Sequence, residues 1–191
     1  ATGTELAGEL AVYARRISRE HGLDASLIQI DLVEASSRLL SALPKDFSRV
    51  MQARLEALGV RVLTNKLVLG EEKDLVHLKD TDMKTRTFIW TVGTKAHHLH
   101  SLIEGLSLQK NGRVDVDEFL QPRGARNVFV VGDAVNTPYA GMAQSALYDG
   151  RFVADVIAAR LHDRRFLSRY APQKPTYIIP LGPGWAGVVW G

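Results

Sequence analysis

The stretch Asn127–Gly150, NVFVVGDAVNTPYAGMAQSALYDG, decides how the chain is read. Four apolar residues, Val128 to Val131, run directly into Gly132 and Asp133. Such a run predicts a buried strand that delivers a carboxylate to the carboxyl edge of a sheet, the edge at which open α/β folds bind ligands. Beyond Pro138 and Gly141, Ala143, Ala146, Leu147, Val153, Ala154, Ile157 and Leu161 fall on a helical stripe. The free N–H groups at the start of that helix face whatever Asp133 faces, and such an end attracts anions and polar oxygens.

Toward the N-terminus, Leu6, Leu10, Val12, Ala14 and Ile17 recur at mostly helical spacing, and Gly22 marks the end of a first helix. Leu27 to Val33 reads as a strand ending on an acid, Glu34. After Pro44, the positions Phe47, Val50, Met51, Leu55 and Leu58 predict a second helix, and Val60 to Leu63 a second strand. This alternation predicts an α/β fold, a parallel sheet with covering helices. An antiparallel excursion is expected next: strands over Lys66–Gly70 and Leu75–Lys79 around the turn EEKD, and a third over Thr85–Thr91. TVGTK, residues 91–95, interrupts the apolar pattern and marks a boundary. A short helix within 97–106 and an exposed strand over Gly112–Phe119 lead back to the opening stretch. Downstream, Tyr177–Leu181 and Trp185–Trp190 read as two strands split by Gly182–Gly184. An apolar hairpin of this kind needs a partner surface, and it is expected to begin a further domain.

With 46% hydrophobic residues over 191 positions, the chain has ample material for a packed core. No apolar run approaches the ~20 residues that span a bilayer. A helix already begins within ATGTELAGEL, which gives the expectation that the chain is part of a longer protein whose first strand precedes residue 1. The absence of cysteine rules out a CxxC redox pair and a thiolate zinc site within these residues. His97, His98 and His100 are too close in sequence to converge on one tetrahedral ion without ligands from elsewhere, so no metal site is expected. A net charge of +3 is too small to indicate nucleic acid as a partner. The late basic residues Arg151, Arg160, Arg164, Arg165, Arg169 and Lys174 read first as a solvated face, with anionic lipid or a partner protein as the alternative.

In this order, ATGTELAGEL, the strand ending LVEA, the turn IWTVGTKA, and NVFVVGDA followed by AQSALYDGRFVA resemble the flavoprotein oxidoreductases with two dinucleotide-binding domains, the pyridine nucleotide-disulfide oxidoreductase superfamily. Within it the chain looks most like the type II NADH dehydrogenases, membrane-surface enzymes that reduce quinone with NADH through FAD. The resemblance covers nearly the whole chain, and the ordered set of motifs carries it rather than any one of them. It implies a Rossmann-like NAD(P)H-binding domain over 1–93, a segment of an FAD-binding domain over 94–163, and the start of a C-terminal interface domain over 164–191.

The resemblance also implies roles for individual residues. Gly3, with Thr4 beside it, matches the last glycine of a GxGxxG turn against the NADH pyrophosphate. Glu5 matches an acid beside the nicotinamide and flavin, the candidate catalytic residue, where a first-turn carboxylate accepts a hydrogen bond from the carboxamide. Glu34 matches the acid on the adenosine ribose and favours NADH over NADPH, while Arg38 keeps the NADPH reading open. Thr91 and Gly93 match the turn by which the chain leaves the nicotinamide domain. Gly132 and Asp133 match the FAD-binding turn, and Met142, Ala143 and Gln144 the start of the helix at the isoalloxazine. Plainer readings stand beside these: Gly3 as a packing glycine, Glu5 as helix capping, Glu34 as a solvated strand end, Asp133 as a turn residue and Gln144 as a surface residue.

One departure bears on the electron acceptor. The family continues AQxAxQQ, with the later glutamine lining the quinone tunnel, whereas this chain carries Tyr148 and Asp149. Quinone or another acceptor is therefore expected, and Tyr148 offers a donor to a quinone carbonyl. The missing cysteines argue against the disulfide, sulfide and persulfide branches, which need a thiol beside the flavin. A cytoplasmic protein with peripheral contact at the inner face of the membrane, and a homodimer, complete the expectation. The alternative is a catalytically inactive nucleotide-sensing or protein-binding module of the same fold.

Overall fold

The first helix, α1 (Thr2–Glu20), buries a face of small residues, Thr4, Ala7, Gly8, Ala11 and Ser18. The larger Leu6, Leu10, Val12 and Ile17, expected to lead the packing, are half-buried on its flanks. Small residues let the helix approach closely: a Cβ at Gly8 would lie 2.9 Å from Leu181 Cδ2. The computed structural model describes residues 1–191. They form two compact units, Ala1–Val92 with Tyr177–Trp190, and Gly93–Thr176 with Gly191.

In the first unit, β1 (Ile30–Val33) and β2 (Val60–Leu63) pair in parallel, from Ile30 opposite Val60 to Val33 opposite Leu63. Parallel neighbours need a crossover, and α2 (Lys45–Ala57) supplies it. Pro44, in extended conformation, ends the preceding loop, and Gly59 at φ 77° turns the chain out of α2 into β2. An antiparallel sheet follows, β3 (Val68–Glu72), β4 (Leu75–Leu78) and β5 (Asp82–Lys84) in that order. The strand expected over Thr85–Thr91 is not formed. Thr85 N–H closes on the Asp74 carbonyl at 3.1 Å and its hydroxyl on the Thr87 carbonyl at 2.9 Å, which ends the ladder just after β5.

The terminal hairpin forms as expected, β6 (Tyr177–Pro180) antiparallel to β7 (Ala186–Val189). Of residues 164–191, Tyr177–Trp190 lie in the first unit and the others in the second. The hairpin finds its partner surface in the first unit: Ile179 and Leu181 join Ala7, Ala11, Leu39, Met51, Leu55, Leu58 and Val60 in one buried cluster. Arg54 secures the contact, donating to the Leu181 carbonyl at 3.3 Å with its guanidinium 5.4 Å from the Trp185 ring centroid.

The second unit contains α3 (Ala143–Leu161) and short irregular segments. The strand expected over Gly112–Phe119 reduces to one residue, Val114, which bridges Leu108 antiparallel and Val135 parallel. Asp117 ends it by accepting from the N–H groups of Phe119 at 2.8 Å and Gln121 at 3.0 Å. Val128–Val131, expected to be a buried strand, carries no ladder. Its one backbone hydrogen bond to a neighbouring segment is Val130 N–H to the Leu120 carbonyl, 2.9 Å, and Val128 and Val131 remain 46% and 37% exposed. An extended segment becomes a strand only when a neighbour supplies consecutive ladder hydrogen bonds, and Leu120 supplies a single one here.

Candidate functional site

Two groups of residues occupy the positions singled out by sequence, one in each unit. In the first unit, Gly3 opens α1 against β1 and Thr91. A Cβ there would lie 2.6 Å from Thr91 Oγ1 and 3.5 Å from Leu32 Cδ1, so only glycine admits this contact without displacement. Close helix–strand packing is the physical task of the third glycine in a dinucleotide turn. Thr4 is buried beside it, and Glu5 is half-buried in the first helical turn, where the helix dipole favours a carboxylate.

Glu34 follows β1 at its carboxyl end. Its N–H donates to the Leu63 carbonyl at 2.8 Å, extending the parallel pairing, and its Oε1 accepts from Ser36 N–H at 2.8 Å. The carboxylate is half-exposed at the edge where α/β sheets meet their ligands. Arg38 is engaged elsewhere. Its guanidinium donates to the carbonyls of Leu40 (3.2 Å), Ser41 (2.5 Å) and Leu43 (2.8 Å) and to Ser48 Oγ (2.6 Å), organising the loop that precedes α2. The Arg38 guanidinium is thus tied to its own loop.

In the second unit, Gly93 is exposed at φ 68°, with open space around it. Gly132 is buried at φ 64°, and a Cβ on it would lie 3.2 Å from that of Ala146. Glycine here serves both the left-handed backbone and the close approach of α3. Asp133 follows in a single 3₁₀ turn, Gly132–Ala134, with its side chain exposed. The turn is fixed to its neighbour by Val114 N–H to the Ala134 carbonyl, 2.8 Å, and by Asn136 N–H to the Val114 carbonyl, 2.9 Å. Beside it, the Asp115 carboxylate accepts from Asn136 Nδ2 at 2.8 Å and from Gln109 Nε2 at 2.8 and 2.9 Å. Those hydrogen bonds, that of Asn136 first, hold its pKa below the ordinary carboxylate value.

Met142 is the N-cap of α3, and no side chain caps the helix, so its first N–H groups beside Ala143 and Gln144 keep their positive field. Gln144 is partly committed, because its Oε1 accepts from Thr176 N–H at 2.8 Å. Ser145, in the same first turn, is 7% exposed, and its buried hydroxyl has no hydrogen-bond partner. An orphaned polar atom beside uncapped N–H groups fits a site made for a polar ligand. The histidines serve local structure: His97 Nδ1 accepts from Leu99 N–H at 3.1 Å, and its ring lies against His98.

Asp149 is the residue that sequence reasoning missed. It is fully buried, accepting from Gly132 N–H at 2.9 Å through Oδ2 and from the Tyr170 hydroxyl at 2.5 Å through Oδ1. Burial, then the Asp149 hydrogen bond and charge, push the Tyr170 phenol well above its ordinary pKa. The signal in the sequence was an acid four residues after Ser145, on the helix face that also carries Ala146. Together the second-unit residues present an exposed carboxylate and free N–H dipoles, groups that bind and orient a polar ligand.

Residues 1–150 match the family described as pyridine nucleotide-disulphide oxidoreductase. A type II NADH:quinone oxidoreductase of Mycobacterium tuberculosis is 33% identical over 176 residues, covering 84% of this chain and 37% of that protein. That of Haemophilus influenzae is 31% identical over 137 residues, covering 70% of this chain and 31% of that protein. The chain thus spans about a third of the length of these relatives. Its fold is shared with the NAD-dependent persulfide reductase from A. fulgidus, at a TM-score of 0.67 and 17% identity over 81% of this chain and 30% of that one. It is likewise shared with an FAD-dependent pyridine nucleotide-disulphide oxidoreductase from Desulfovibrio vulgaris, at a TM-score of 0.64 and 20% identity over 81% of this chain and 41% of that one.

Proposed function

The chain belongs to the pyridine nucleotide-disulphide oxidoreductase family, and from that premise we propose that the complete protein is an FAD-dependent NADH dehydrogenase, in which FAD takes hydride from NADH and passes electrons to quinone or another acceptor. The observation that carries the proposal is the family match over residues 1–150, which contains both groups of candidate residues. In this reading Gly3, Thr4 and Thr91 bind the dinucleotide where α1 meets β1, and Glu34 accepts from the adenosine ribose. Glu5 orients the carboxamide, and Gly93 gives the chain its turn after the first unit. Gly132 and Asp133 hold the flavin's ribityl region, where a carboxylate accepts from hydroxyls without meeting phosphate charge. Met142, Ala143 and Gln144 set the helix N-terminus against the flavin ring, and its field favours negative charge there.

The non-catalytic alternative loses ground, because the relatives are named as oxidoreductases. No helix is long and apolar enough to cross a membrane. Cytoplasmic location with peripheral contact at the inner face of the membrane, and assembly as a homodimer, belong to the same proposal. Co-sedimentation with lipid vesicles and the mass in solution test these two points.

The central experiment purifies the complete protein and follows its visible flavin absorbance on addition of NADH. Bleaching is expected, and a colourless protein that cannot be reconstituted with FAD refutes the proposal. Asp133→Ala is expected to lower flavin content. Glu34→Ala is expected to raise the preference for NADPH relative to NADH by about tenfold, through removal of a charge that repels the 2′-phosphate.

A further inference from the structure

Asp149 is the one carboxylate in the chain with no exposed surface, and its two oxygens face two donors. The first donor is the backbone N–H of Gly132, the residue before Asp133. Gly132 is itself buried, so without Asp149 this N–H loses its partner in a place water does not reach freely. The second donor, the Tyr170 hydroxyl, comes from a segment after α3 that is fixed by Tyr170 N–H to the Glu118 carbonyl at 2.8 Å. The Tyr170 ring is held edge-on against Phe152, 5.3 Å between centroids, and lies 5.9 Å from Tyr148. Ala146, whose Cβ would meet one on Gly132 at 3.2 Å, lies on the same side of α3 and sets how near the helix comes. The turn is therefore gripped at both levels, by a short side chain that admits it and by a longer one that bonds it.

We propose that Asp149 is a positioning residue for the Gly132–Ala134 turn, fixing the direction in which Asp133 is presented to the flavin, with Tyr170 fixing Asp149 in turn. The inference rests on the reading of Asp133 as a flavin-binding residue. It also changes the meaning of the altered glutamine pair. Position 149 faces inward and serves the flavin side of α3, so of the pair Tyr148 and Asp149 only the half-buried Tyr148 remains to meet an electron acceptor.

The test uses the complete protein in the variants Asp149→Ala, Asp149→Asn, Tyr170→Phe and Asp133→Ala. Amide hydrogen exchange over residues 127–137 is read beside flavin content. Asp149→Ala is expected to reduce protection of the Gly132 amide by about tenfold and to lower flavin content, while exchange over β1 and β2 stays unchanged. Asp149→Asn keeps an oxygen for Gly132 N–H and an amide for the Tyr170 oxygen, so it is expected to restore most of both readouts. Tyr170→Phe should give an intermediate loss. An unchanged Gly132 amide in Asp149→Ala overturns the proposal, as does an Asn variant that loses flavin as fully as Ala. If Asp149→Ala unfolds the protein, the Asn and Phe variants decide on the same criteria. Failure of the flavin reading is separate and shows as unchanged flavin in Asp133→Ala. A loosened turn that keeps its flavin, in a protein that loses it on Asp133→Ala, overturns the positioning role alone.

Discussion

In the unit formed by residues 1–92 and 177–190, apolar side chains from α1, α2, β2 and the terminal hairpin close on one another, with Met51, Leu55 and Leu181 entirely buried. In residues 93–176 the buried apolar side chains are Val114, Leu120, Val135 and Val156 with Pro122 and Pro175, and Gln121, Ser145 and Asp149 are buried in the same unit. No strand ladder joins them; Val114 alone bridges two neighbours. Apolar burial is spread over many contacts and is felt as volume, whereas a buried polar group acts through one or two bonds that water does not replace. The first unit is accordingly sensitive to lost volume and the second to lost partners.

The largest expected effect tests the first half of that contrast. Leu55→Ala leaves a cavity in the main cluster and is expected to destabilise the first unit by about 3 kcal/mol. All three tryptophans, Trp90, Trp185 and Trp190, lie in that unit, so their fluorescence during urea unfolding reports it selectively. The matched change in the second unit, Val128→Ala, removes a side chain that is 46% exposed and outside any ladder. It is expected to alter stability by no more than about 0.5 kcal/mol. Equal losses at the two positions break the comparison.

A smaller effect is expected from Gln121→Ala, which tests the second half. Gln121 is 4% exposed; its amide donates to the Arg126 carbonyl, and its Oε1 accepts from Arg160 at 2.7 Å. Arg160 also reaches the Arg126 carbonyl at 2.7 Å and lies 5.2 Å from the Phe129 ring centroid. Removing the glutamine takes away the Arg160 acceptor at this point, a loss of about 2 kcal/mol. Faster amide exchange over residues 118–130 with unchanged tryptophan fluorescence is the expected signature, and an effect below that of Val128→Ala contradicts the polar account.

The same contrast explains what the sequence made legible. The spans of α1, α2, β2 and α3 could be read because helical spacing, Pro44 and Gly59 are local signals. The hairpin could be read as a hairpin, though its partner surface could not, since Gly8 and Leu181 meet only after the chain has folded. Val128–Val131 misled because an apolar run specifies burial only when a neighbour supplies the ladder, which is not a property of the run. Gly3 and Thr91 were each singled out by the sequence, but not as a contact. Asp149 was visible only as a departure from a glutamine pair. Its partners, Gly132 and Tyr170, stand 17 and 21 residues away, beyond what helical periodicity registers.

The smallest expected effects are two pH responses of opposite sign, one in each unit. In the first unit, His77 Nδ1 lies 2.9 Å from Asp82 Oδ1, its cross-strand partner, and its Nε2 lies 3.6 Å from Glu72. The Asp82 hydrogen bond, ahead of the charge of Asp82 and Glu72, raises the His77 pKa above its ordinary 6.5. A raised pKa means that the folded state holds the proton more tightly, so the contribution to β4 and β5 is full below pH 6.5 and disappears as pH rises through the folded value. In the second unit, the Asp115 pKa is lowered from 3.8, chiefly by Asn136 and Gln109, so its contribution is full above 3.8 and disappears as pH falls through the folded value. Both groups are partly open to solvent, which keeps the effects small. An NMR titration with amide exchange over residues 75–84 and 107–115 is expected to show the first segment loosening only on the alkaline side and the second only on the acid side. His77→Gln should abolish the first response and leave the second intact; both segments loosening together would mean that these pairs do not control their own units.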